Sequence, residues 1–96
     1  MTANALPPSR TQHKTPARTL TILTQDPGDP PEGFCLMDDD TTIEAAKSGD
    51  VIGIDRMWRS VERCTGLNGW VTVLTAPYSP NITASWDTPV FLARRI

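Results

Sequence analysis

Asp50-Val51-Ile52-Gly53-Ile54-Asp55-Arg56 is the stretch on which the reading of this chain turns. Its apolar, β-branched centre between charged ends is that of a strand. Gly53 brings no side chain to pack, which predicts a bend or a close backbone approach. Further along, Asn68-Gly69 is a tight-turn signal, and Trp70-Val71-Thr72-Val73-Leu74-Thr75 after it has strand composition. Between them, Met57 to Cys64 is open to two readings. Met57, Val61 and Cys64 share a helical face, and an irregular segment fits as well.

Upstream, Thr19 to Thr24 alternates threonine with apolar residues, as a half-buried strand does, and stops at Asp26-Pro27-Gly28. Asp26 to Gly33 holds three prolines and two glycines, the composition of a turn-rich loop. Phe34 to Met37 is a short apolar run. Thr41-Thr42-Ile43-Glu44 fits a capping box, with the Thr41 hydroxyl on the Glu44 amide, ahead of about two helical turns closed by Gly49. Downstream, Pro77, Pro80 and Pro89 punctuate a loop with a short strand around Asn81 to Trp86, and Val90 to Ala93 reads as the last strand. These elements predict a mainly β fold: a small, compact, barrel-like domain of four to six short strands with one short helix.

The chain has 96 residues, of which 39% are hydrophobic, so it holds one small domain. Residues 1–19 carry Arg10, Lys14 and Arg18, no acid and three prolines, and read as a disordered basic tail; residues 20–96 form the domain. No stretch approaches the roughly 18 apolar residues of a membrane span, and the first 25 residues lack the apolar run of a signal peptide. A cytoplasmic protein without membrane contact is expected. Cys35 and Cys64 are far apart and His13 is the only histidine, so the expectation is free, buried or half-buried thiols, no metal site and no cofactor.

Charge is unevenly placed. Residues 24–50 hold Asp26, Asp29, Glu32, Asp38, Asp39, Asp40, Glu44 and Asp50 against Lys47 alone, a net of −7, whereas residues 51–96 net +2. Asp26 to Asp50 is thus an acidic face, either plain solvated surface or a patch for a basic protein. The carboxylates of Asp38, Asp39, Asp40 and Glu44 lack the spacing of a calcium loop. Trp58, Trp70 and Trp86 lie among Arg56, Arg59 and Arg63, but the net of −5 after residue 19 repels phosphate, so core filling is expected rather than direct nucleic-acid binding.

The order Asp40-Thr41-Thr42, Gly49-Asp50-Val51-Ile52-Gly53-Ile54-Asp55, Asn68-Gly69-Trp70-Val71-Thr72-Val73-Leu74 and Leu92-Ala93-Arg94-Arg95-Ile96 resembles the C-terminal domain of LexA, UmuD and related phage repressors. The resemblance spans residues 34 to 96. Members of that family cleave themselves at an Ala-Gly bond with a Ser nucleophile and a neutral Lys base. Here the resemblance puts Thr41 at the nucleophile position and Arg94 at the base position. A guanidinium stays protonated in proteins and cannot take a proton. Lys47 lies off to another side of the expected helix, and no Ala-Gly dipeptide occurs. The resemblance therefore implies a degenerate member without catalytic residues, not an enzyme.

The upstream segment is also too short for a helix-turn-helix. The expected function is that of a non-catalytic regulatory protein, of phage or mobile-element origin, that binds and modulates a regulatory or defence protein. Asp26, Asp29, Glu32, Asp38, Asp39, Asp40 and Glu44 are the expected binding residues, and a second copy of the chain is a further expected partner. Two alternatives stand beside it: a self-processing peptidase-like protein using Thr41, and an acidic nucleic-acid mimic that inhibits a DNA- or RNA-binding protein.

Overall fold

The computed structural model describes residues 15–75 and 81–96. Most of the expected basic tail (residues 1–14) and part of the proline-punctuated loop (residues 76–80) lie outside the described residues. The fold is mainly β: a helix, α1 (Ala17–Leu23), and six strands, β1 (Phe34–Leu36), β2 (Val51–Ile54), β3 (Met57–Leu67), β4 (Trp70–Thr75), β5 (Ile82–Ser85) and β6 (Leu92–Arg95). The strands form one antiparallel sheet in the order β1-β6-β2-β3-β4-β5. Among the described residues β1 and β5 are its two edges, and the sheet does not close into the expected barrel.

The strand expected at Asp50 to Arg56 is the centre of this sheet, and β2 is buried along its whole length. Asp55 and Arg56 leave it. Both have positive φ, 54° and 67°, and form the two-residue turn into β3. A turn with both central residues in the left-handed region matches the right-handed twist of the strands it joins. Asn68 and Gly69, at φ 53° and 83°, do the same between β3 and β4, as expected.

β3 corrects both readings of Met57 to Cys64, being neither helical nor irregular. It runs for 11 residues, pairing with β2 through Ser60 and with β4 from Val61 onward. Between Val61 and Arg63 the register shifts, so Glu62 is an extra residue in the ladder. Such a bulge bends and twists the strand, and it allows one strand to serve both halves of the sheet. β6 begins two residues later than the sequence places it, although the Phe91 carbonyl still accepts the Gly53 N–H at 2.8 Å.

Thr19 to Thr24 is helical rather than extended. The Thr21 and Thr24 hydroxyls donate to the carbonyls four residues back, Ala17 and Leu20, at 2.9 and 2.8 Å. The helix places Leu23 in the core with no exposure and leaves the Ile22 carbonyl to accept the Asp55 N–H. Residues 15–19, assigned to the tail by composition, pack on the domain. Thr15 is buried, its hydroxyl accepting the Ser85 N–H at 2.8 Å and meeting the Thr88 hydroxyl at 2.7 Å.

The core is aliphatic, centred on Leu23, Ile43, Ile52, Val73 and Leu92. The tryptophans do not fill it: Trp58 and Trp70 are half-buried and Trp86 is exposed. Trp58 instead ties down the proline-rich loop, donating its indole N–H to the Asp29 carbonyl at 2.8 Å.

Candidate interaction face

Thr41 precedes a single 3-10 turn, Ile43–Ala45, in place of two helical turns, and no side chain caps that turn. The capping box is not formed. The turn is anchored by tertiary contacts: Ile43 is fully buried, its N–H donates to the Thr88 carbonyl at 2.9 Å, and Thr42 bridges Pro89. Thr41 itself is buried, its N–H on the Asp38 carbonyl and its carbonyl on the Val90 N–H.

Arg94, which the resemblance puts at the base position, is turned onto the domain. Its Nε donates to Asp50 Oδ1 and its Nη2 to Asp50 Oδ2, both at 3.0 Å, and Nη2 also donates to the Ala45 carbonyl at 2.9 Å. The Lys47 N–H adds a bond to Asp50 Oδ2 at 2.9 Å. The Asp50 side chain is 5% exposed and that of Arg94 40%, so the carboxylate is the buried partner. The hydrogen bond to Asp50 raises the Arg94 pKa above its ordinary value, against a smaller lowering by burial. The residue at the expected base position is thus held more firmly in its charged form and bound to a carboxylate.

Asp50 differs from the seven other carboxylates of the acidic stretch: it is buried and serves the interior. Nothing in the local sequence signals this partnership, which spans 44 residues. Nearby Cys64 is half-buried, and its thiol pKa is raised, first by burial and then by the Asp50 charge. Cys35, expected to be at least half-buried, is exposed on β1, because β1 is an edge strand. Both thiols are free.

The seven carboxylates expected to bind, Asp26, Asp29, Glu32, Asp38, Asp39, Asp40 and Glu44, are all exposed. They stand in three places. Asp26, Asp29 and Glu32 lie on the loop that crosses the sheet, where Asp26 Oδ1 accepts the Gly28 N–H at 2.8 Å. Asp38, Asp39 and Asp40 follow β1 in the turn closed by the Thr41 N–H on the Asp38 carbonyl. Glu44 sits apart, on the 3-10 turn, and borders a second cavity of about 460 Å³ with Cys64, Leu67, Trp70 and Trp86. Among the described residues no three His, Cys, Asp or Glu side chains are grouped to hold a metal ion.

The groove beside the aspartates has no signature in the local sequence. A cavity of about 340 Å³ lies between the end of α1, the end of β1 and the approach to β6, with Leu23, Leu36, Met37 and Val90 on its walls and Asp38 and Asp39 at its rim. Leu23 and Thr24 at the end of α1 and Leu36 and Met37 at the end of β1 share its lining, a placement that the strand reading of Thr19 to Thr24 hides.

No helix among the described residues is long and apolar enough to cross a membrane. Comparison with protein-family models, with curated proteins and with solved structures finds no match.

Proposed function

We propose that this chain is a non-catalytic interaction protein that binds a basic region of another protein through its acidic face and thereby modulates it. The carrying observation is a division of charge. The seven carboxylates from Asp26 to Glu44 are exposed, while Arg94, the cation at the expected base position, is engaged by buried Asp50. Exposed charge of one sign steers encounter and selects partners of opposite sign.

In this reading the domain is a degenerate relative of the LexA and UmuD C-terminal domains. What supports the loss of chemistry is the commitment of Arg94 to Asp50 and Ala45, since a protonated guanidinium offers no base to the Thr41 hydroxyl. Incubation at alkaline pH should leave an intact chain by mass spectrometry. A specific internal cut that Thr41→Ala abolishes would restore the peptidase reading.

The binding test is capture of partners from the native host by the tagged chain and by a variant with Asp38, Asp39 and Asp40 changed to lysine. Loss of a specific protein from the variant's eluate supports the acidic face, and equal capture removes it. Release of that protein by added DNA, with steep salt dependence, would reassign the chain as a nucleic-acid mimic.

A further inference from the structure

We propose that the free edge of β1, together with the groove beyond it, is a strand-addition site for an extended, basic segment of a partner protein. The inference rests on the reading of the acidic face and names the form its partner takes.

The two edges of the sheet differ. At β5 the Ser85 N–H already donates to the Thr15 hydroxyl, so the amino-terminal segment covers part of that edge. At β1 the ladder to β6 is bounded by Met37 N–H on the Leu92 carbonyl and Ile96 N–H on the Gly33 carbonyl, with Cys35 opposite Arg94 between them. In an antiparallel ladder, alternate residues turn their N–H and C=O to the same side, so Gly33, Cys35 and Met37 face β6 and Phe34 and Leu36 face away. The Phe34 N–H is taken by the Pro31 carbonyl. Among the described residues Leu36 is left presenting its N–H and carbonyl outward, the carbonyl touched by the Cys35 thiol at 3.8 Å, and the residue is 47% exposed. This is a template for one more strand, the mode in which main-chain bonds give affinity and side-chain pockets give specificity.

The groove supplies the pocket. Leu36 belongs both to the edge and to the groove wall, with Met37 next to it on the wall, so a strand laid along β1 runs beside the cavity. Its 340 Å³ admits an aliphatic side chain or the stem of a lysine or arginine, with Asp38 and Asp39 positioned to meet the charged end.

Charge decides the occupant. A second copy added antiparallel about Cys35 would set Glu32 of each chain against Asp38 of the other, and a register centred on Leu36 would set Glu32 against Asp40. Like charges directly opposite are destabilising in a sheet. A segment alternating basic and apolar residues meets the same carboxylates favourably and is the occupant that fits.

The probe is a fluorescent seven-residue peptide alternating lysine and valine, followed by anisotropy with the full chain. Its controls are a glutamate-valine counterpart and two versions N-methylated at alternate backbone nitrogens, one in each register. The expected result is saturable binding of the lysine peptide, none of the acidic one, and a loss of about tenfold or more for one methylated register. Leu36→Pro should cause a comparable loss with an unchanged thermal midpoint, because the N–H it removes lies outside the β1–β6 ladder. If that variant does not fold, the methylated peptides decide with the protein unaltered. Equal binding of both methylated peptides overturns strand addition. If Asp38→Lys with Asp39→Lys still weakens all the peptides in that case, the acidic face survives without the edge. Indifference to that charge reversal removes the acidic face as well, and absence of saturable binding by the lysine peptide overturns the site.

Discussion

Arg94 holds Asp50 with two nitrogens on two oxygens, each at 3.0 Å, and so joins the last strand to the residue that enters the central one. Asp50 is nearly enclosed and Arg94 is not, which makes the pair asymmetric. Removing the guanidinium strands a buried carboxylate with the Lys47 N–H as its remaining side-chain bond. Arg94→Ala should therefore lower stability by roughly 2 kcal/mol, within the range for a lost hydrogen bond to a charged group. Arg94→Lys should recover part of this, since an ammonium keeps the charge but not the two-pronged fit. Urea unfolding of the two variants measures both.

Gly53 lies beneath Pro27. A Cβ at position 53 would come within 2.7 Å of the Pro27 ring and 3.1 Å of Phe91 Cβ. The proline ring is tied to its backbone and cannot swing aside, so Gly53→Ala must push the loop off the sheet. A cost of about 1–3 kcal/mol is expected from overpacking. Trp58 reports the displacement, because its indole is bonded to Asp29 of the same loop. A change in tryptophan fluorescence should accompany the loss of stability.

Arg56 sits at φ 67° in the turn between β2 and β3. Left-handed backbone costs a non-glycine residue about 1–2 kcal/mol, partly offset by the greater unfolded-state freedom of glycine. Arg56→Gly is accordingly expected to stabilise the fold by about 0.5–1 kcal/mol, measured as a raised urea midpoint with unchanged slope.

The two thiols should react in sequence. Cys35 is exposed, whereas Cys64 is half-buried with a raised pKa, so alkylation followed by peptide mapping should modify Cys35 first. The same shift fixes the sign of a pH effect. The folded state holds the Cys64 proton more tightly than the unfolded chain. Its contribution is fully present below the ordinary thiol pKa and is lost as pH rises through the raised value. Cys64→Ser, whose hydroxyl does not titrate there, should flatten the alkaline decline in stability.

Where local pattern and final structure agree, the burial is one that neighbouring residues can encode. The alternation in Trp70 to Thr75 matches the half-buried and buried residues of β4, and Asn68-Gly69 forms its turn. The bare centre of β2 anticipated the approach of Pro27 and the Phe91 carbonyl to Gly53. The acidic run was equally legible, because seven of its carboxylates had only to stay in water.

The remainder depended on partners distant in the chain. Alternating threonines favour a strand, yet α1 is helical because that carries Leu23 into a core built by β2, β4 and β6, while the Thr21 and Thr24 hydroxyls find carbonyl acceptors four residues back. Met57 to Leu67 became one strand because β2 and β4 lie along its two halves and the bulge at Glu62 turns it between them. Likewise, no arrangement of residues near Asp50 or Arg94 announces that they meet. Periodicity reports which side of a segment wants to be dry. Only the assembled sheet decides which other segment covers it, and so which aspartate faces inward and which strand edge stays open.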